Sequence, residues 1–234
     1  HLLTILQFLL VILAWARGGK ATMLGGSFVV GVGCLYLTGF LLTTPWVLSA
    51  KALLYFIVGA VQVSYVVMAL LSRGEVWRIA TLSQPLMLPF LLLANYLPAL
   101  SGGPAFLVEP ASLQWHVISA TLAYALLSLA AFFAFAIITR QAYLKAHARS
   151  AFVGGLPSLD VLENAQSGTL KLTFVALLTS VVAGSIYTHQ VYGVWFLLQG
   201  KTTLTLITLM LLAALLIGKK VCGVRGRQGA KLVL

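Results

Sequence analysis

Four histidines, two cysteines and four carboxylates are nearly all that these 234 residues offer for metal ligation, nucleophilic attack or acid–base work. Their spacing excludes most familiar sites. Cys34 and Cys222 lie far apart and form no CxxC pair, so neither a disulfide framework nor thiol redox chemistry follows. Glu75, Glu109, Asp160 and Glu163 fall in loops or at helix ends. No nucleotide-binding glycine motif, HExxH or nucleophile elbow occurs. What remains is a set of imidazoles and aromatics: Trp115 and His116 in "SLQWHVISATLAYALL", then Tyr187, His189, Tyr192 and Trp195 in "GSIYTHQVYGVWFLLQGK", with Lys201 closing that stretch. A neutral imidazole ligates haem iron, and a shallow aromatic-lined site at a bilayer edge suits a flat apolar macrocycle with charged propionates. His116 is then the axial-ligand candidate, and Lys201 the partner of a propionate. A plainer reading covers the same residues: Trp and Tyr form the interfacial belt of any membrane protein, and a histidine at a helix end is a hydrogen-bonded polar tip.

The elements that must position these residues follow from composition. With 61% hydrophobic and 8% charged residues, the chain lies far outside the range of soluble globular domains. Lipid admits only helices or closed barrels, because every backbone polar group must find an internal partner, and the long continuous apolar runs indicate helices. Seven spans are expected, near 1–16, 27–48, 50–72, 79–100, 115–139, 170–188 and 202–218. The fold class is therefore all-α, a polytopic transmembrane helical bundle forming a single domain over residues 1–234. A net charge of +11 invites a nucleic-acid reading, but basic residues flanking apolar helices are a topology signal, and no nucleic-acid partner is expected. Alternating loops gather all but Lys51 and Lys201 of the 15 lysines and arginines on one side. That division puts the N-terminus outside, the C-terminus in the cytoplasm and His116 at the outer face. The near absence of carboxylates from the spans weakens a proton pump or cation-coupled transporter, which needs ionisable groups at membrane depth.

Between the spans, "SGGPAFLVEPASLQ" carries turn signals, and Ser112 is an N-cap candidate for a helix opening at Leu113. The segment 140–169 reads as a cytoplasmic loop containing a short interfacial helix. Ser158 would cap it, with Asp160 and Glu163 in its early turns where the helix dipole favours negative charge. Gln62, Ser119 and Asn95 could line a polar pocket, although interhelical hydrogen bonds account for them as well or better. The glycines of "GGSFVVGVGCLYLTGF" suit close helix packing.

Three segments taken in order, "WHVISATLAYALLSLAAFFAFAI", "GLPSLDVLE" and "KTTLTLITLMLLAALLIGKKVCGVRGRQGAKLVL", resemble the cytochrome c assembly family of CcsA type, in its shorter YpjD-like and HemX-like inner-membrane branch. The resemblance covers roughly residues 110–234, and the first four spans only by hydropathy. It implies that His116 is an external haem ligand and that eight spans exist in the full chain, with a last helix after residue 234. It also implies a tryptophan-rich segment, WGxxWxWDPKExW. Aligned with it, "YGVWFLLQGKTTL" leaves Tyr192, Gly193, Lys201 and Thr203, but has Phe196, Leu198, Gln199 and Leu204 where the signature has Trp, Trp, Asp and the final Trp. With that platform largely replaced, the expectation is a non-enzymatic, haem-associated protein assisting cytochrome c or haem-protein assembly, with no catalytic residue and no metal besides haem iron. The alternative is a structural subunit of a larger respiratory membrane complex carrying a degenerate haem site. Expected partners are the lipid bilayer, haem, and cytochrome assembly or respiratory complex subunits.

Overall fold

The computed structural model describes residues 2–16, 19–41, 50–71, 75–97, 111–145, 155–196, 200–221 and 233. Seven α-helices account for almost all of them: α1 (Leu2–Trp15), α2 (Lys20–Leu41), α3 (Ala50–Leu71), α4 (Ala80–Tyr96), α5 (Ala111–Lys145), α6 (Leu159–Tyr192) and α7 (Gly200–Val221). A 3₁₀ turn, Val76–Ile79, leads into α4. Six apolar stretches within these helices are long enough to cross a bilayer. The exception is α1, whose 14 residues rise about 21 Å, short of a hydrocarbon core of about 30 Å. The all-helical bundle expected from the sequence is therefore what forms.

Helices α1 to α4 pack around a buried polar centre. Gln7 of α1, Gln62 of α3 and Gln84 of α4 are all but fully enclosed. Gln62 Nε2 donates to Gln7 Oε1 and Gln84 Oε1, both at 2.9 Å, while Gln7 Nε2 donates to Gln84 Oε1 at 3.0 Å. Gln84 Nε2 in turn donates to Ser27 Oγ of α2 at 2.9 Å. Four helices thus share one amide network in which each donor reaches an oxygen, the condition under which polar groups persist in lipid. Pro85 and Pro89 interrupt the backbone ladder of α4 along this stretch, and the carbonyl of Gln84 takes a further bond from Gln7 Nε2 at 2.8 Å. Gln62 is therefore an interhelical tie rather than the wall of a pocket. Asn95 has the same role, accepting from Tyr55 Oη at 3.0 Å and donating to Thr4. Ser119 bonds only its own helix, at the carbonyl of Trp115. The glycines of α2 admit neighbouring helices, with Gly33 beneath Leu3 of α1 and Gly31 against Gln62 and Val63 of α3.

The second half is dominated by α5 and α6, of 35 and 34 residues. Each is about 50 Å long, well beyond the hydrocarbon core. Their register is antiparallel: Ser112 meets Gln190 at the charge-poor end, while Ile137 and Leu162 join one core cluster at the basic end. The excess length consequently projects on the basic side. This corrects the loop expected at 140–169. Residues 140–145 finish α5, and the stretch expected to be a separate interfacial helix is the opening of α6, which runs unbroken to Tyr192. Leu162, Ala165, Leu170 and Leu177 are buried along it, so packing against α5 and its neighbours carries the helix past the polar residues that had suggested a break. Residues 146–154 lie outside the described structure. Tyr65 on α3 donates to the carbonyl of Trp77 at 2.7 Å and pins the turn before α4 beside that same core.

Candidate functional site

His116 sits in the second turn of α5, half-buried, with its imidazole laid against the backbone of α6. The contact depends on Gly184, since a Cβ there would lie 2.8 Å from His116 Nδ1 and 3.1 Å from Cε1. With no side chain in the way, Nδ1 comes within 2.7 Å of the carbonyl oxygen of Ser180. A carbonyl only accepts, so Nδ1 carries the proton. The Ser180 hydroxyl, fully buried, lies 3.1 Å from the same nitrogen and donates to the carbonyl of His116 at 3.3 Å. In the neutral ring the lone pair is then on the other nitrogen, Nε2, and among the described residues no hydrogen bond reaches it. Histidines that ligate metals commonly tie their other nitrogen to a carbonyl or carboxylate in this way, which fixes tautomer and ring orientation.

The other expected site residues divide around α6. Tyr187 is half-buried and, at about 100° per residue, lies within about 20° of Ser180 on the helix wheel, one turn beyond Gly184 on the side that meets α5. His189 is about 140° away from Gly184 and exposed. It belongs to the last turn of α6, just beyond the span expected at 170–188. Gly193 ends the helix in the left-handed region at φ 71°, its N–H bonded to the carbonyl of His189 at 3.0 Å. The chain then folds back so that Trp195 stacks on His189, with centroids 4.1 Å apart, and Thr188 Oγ1 holds the Trp195 carbonyl at 3.1 Å. Trp115, 64% exposed, points away from the helix pair, and Tyr192 is also exposed. Only Tyr187 thus joins His116 on one face; His189 and Trp195 form a separate stacked pair. The backbone of Lys201 lies in the first turn of α7, while its side chain falls outside what the structure describes.

Ser180, Gly184 and Gln190 were missed by sequence reasoning. The available signal was the spacing Ala176, Ser180, Gly184, a small residue every fourth position, which marks a close helix–helix contact. Ser112 was misread. Helix α5 starts earlier, at Ala111, and the Ser112 hydroxyl donates to Gln190 Oε1 at 2.7 Å instead of capping.

Among the described residues no group of three or more His, Cys, Asp or Glu side chains comes together to hold a bare metal ion. Among those residues iron at His116 finds no further protein ligands, which suits iron that brings its own, as in a porphyrin. The donor set fits that need: one imidazole whose Nδ1 is tied to a backbone carbonyl and whose Nε2 has no hydrogen bond among the described residues.

An uncharacterized 28.8 kDa protein in the nifR3-like 5′ region of Azospirillum brasilense is 26% identical over 194 residues, 81% of this chain and 70% of that protein. No solved structure matches. The family described as Cytochrome C assembly protein matches residues 33–234, from the second half of α2 through α7. By that match the chain belongs to the cytochrome c assembly protein family.

Proposed function

We propose that this is a haem-associated, non-enzymatic protein of the bacterial inner membrane that assists cytochrome c or haem-protein assembly, with His116 as an axial ligand at the outer face. The observation that carries the reading is the Nδ1 contact of His116 with the Ser180 carbonyl, which leaves Nε2 as the only ring nitrogen able to ligate iron. Family membership supports a haem-related assembly role in general. Bound haem would supply redox-active iron, which His116 would hold through Nε2. The chain's own part is to orient the imidazole, with Tyr187 one turn beyond Gly184 on the side of α6 that meets α5. His189 and Trp195, turned to another side of α6, are not assigned to that pocket.

Purified protein is tested by a reduced-minus-oxidised spectrum and a pyridine haemochrome assay. Wild type is expected to carry haem, and His116→Ala to lose it or shift its bands. Wild type free of haem even after haem is supplied, together with normal cytochrome maturation in a deletion strain, would sink the reading.

A second reading has its own observation. Helix α7 buries only Leu212 among its described side chains and leaves Leu204, Met210 and Leu211 exposed. Such a helix suits an accessory subunit docked in a larger respiratory complex. Co-purification with respiratory subunits supports this alternative, and a lone monomer that carries haem counts against it.

A further inference from the structure

We infer that Gly184 and the Ser180 carbonyl are positioning elements that select the Nδ1–H tautomer of His116 and thereby decide which nitrogen the site presents. A histidine side chain in water favours the opposite tautomer, with the proton on Nε2, a form that would have to lose that proton before ligating through Nε2. Something in the fold must reverse the preference. The candidates are few. Ser180 Oγ at 3.1 Å could donate to an unprotonated Nδ1, but the carbonyl oxygen is closer, at 2.7 Å, and would face the nitrogen lone pair in that case. Two lone pairs at that distance repel, so the carbonyl dominates and the hydroxyl turns to the His116 carbonyl at 3.3 Å.

The carbonyl is reachable because of one missing atom. In an α-helix the oxygen of Ser180 lies beside the residue four positions on, which is Gly184, and the ring occupies the volume that a Cβ would take. An alanine there would meet the His116 side chain at 2.8 Å from Nδ1 and 3.1 Å from Cε1, too close for the ring to stay where it is. The imidazole would lift from α6, lose the carbonyl and revert to its solution preference. Gly184 is thus a positioning residue: it touches no ligand and acts through His116.

The consequence for haem rests on the axial-ligand reading above, whereas the tautomer itself can be read without haem. The experiment is ¹⁵N NMR of histidine-labelled full-length protein in nanodiscs, with His116 assigned by its loss in His116→Gln, for wild type, Ser180→Ala and Gly184→Ala. Wild type is expected to show a protonated Nδ1 and an unprotonated Nε2. Ser180→Ala retains that pattern, because the carbonyl remains. Gly184→Ala shows Nε2–H or an exchange average, and its haem affinity falls about ten- to a hundredfold. An Nε2–H signal in wild type, or an unchanged Nδ1–H signal in folded Gly184→Ala, overturns the inference. If Gly184→Ala does not fold, the wild-type and Ser180→Ala spectra still decide: Nδ1–H in both upholds the carbonyl's role, and its loss in Ser180→Ala assigns the effect to the hydroxyl and overturns it. Failure of the two readings is separable. Nδ1–H protein that binds no haem upholds the tautomer device and removes the haem site, whereas haem binding by an Nε2–H protein does the reverse.

Discussion

At the scale of single residues, the polar side chains inside this protein are arranged so that removing one has unequal effects. In the glutamine network, Gln62→Leu leaves Gln7 Oε1 without its donor, yet Gln84 Oε1 keeps Gln7 Nε2 and Gln84 Nε2 keeps Ser27. Gln84→Leu takes away the donor to both Gln62 Oε1 and Ser27 Oγ. One orphaned group against two predicts losses of about 1 and about 2 kcal/mol, since an unsatisfied buried group costs roughly 1–3 and interhelical bonds in membranes average nearer 0.6. Unfolding titrations in mixed detergent micelles check the ranking; equal losses would show that the network is not wired as described. Gln62 was visible in the sequence as an intramembrane amide, but its partners were not, because Gln7 lies 55 residues away and Gln84 22. His116 was legible as the ligand candidate from its type and its place at a helix mouth. The carbonyl that sets its tautomer was not legible, because a main-chain oxygen has no letter in the sequence.

Between whole elements, glycine spacing sets how closely helices approach. A Cβ on Gly31 of α2 would meet Val63 Cγ2 at 3.0 Å and Gln62 Cβ at 3.1 Å, whereas one on Gly25 meets nothing within 4 Å. Gly31→Ala is therefore expected to cost about 1–3 kcal/mol by forcing α2 off α3, and Gly25→Ala to be neutral or mildly stabilising through helix propensity. Thermal aggregation in detergent distinguishes them, and a tolerated Gly31→Ala would mean that α2 can shift without loss. The sequence showed that these glycines suit packing but not which helix each one admits. Element ends were the weaker part of the reading. Hydropathy marks where a helix leaves lipid, and α5 and α6 remain helical beyond that point because Ile137, Leu162 and Ala165 bury against one another and the turn before α4. The span expected at 170–188 stops short of His189 for a related reason: the helix runs on to Tyr192 and ends where Gly193 can adopt a left-handed conformation.

For the molecule as a whole, the distribution of charge predicts a topology that can be measured directly. In a background carrying Cys222→Ser, where Cys34 is buried, Tyr192→Cys should react with a membrane-impermeant maleimide on intact spheroplasts. Lys145→Cys, at the exposed basic end of α5, should react only after permeabilisation. The reverse pattern would invert the assignment and place His116 in the cytoplasm. Hydrophobic content and the placement of lysine and arginine determined a helical membrane bundle with a basic and a charge-poor face. Those properties follow segment by segment, since a helix satisfies its own backbone bonds in lipid and flanking charges act locally. Which side chains meet inside the bundle was decided only by the tertiary structure. The contact between His116 and Ser180 spans 64 residues and depends on the register and rotation of α5 against α6, to which an i, i+4 pattern within either helix alone is blind. The same rotation turns His189 and Trp195 away from His116, leaving one imidazole, its backbone carbonyl and a bare glycine as the site that the fold assembles.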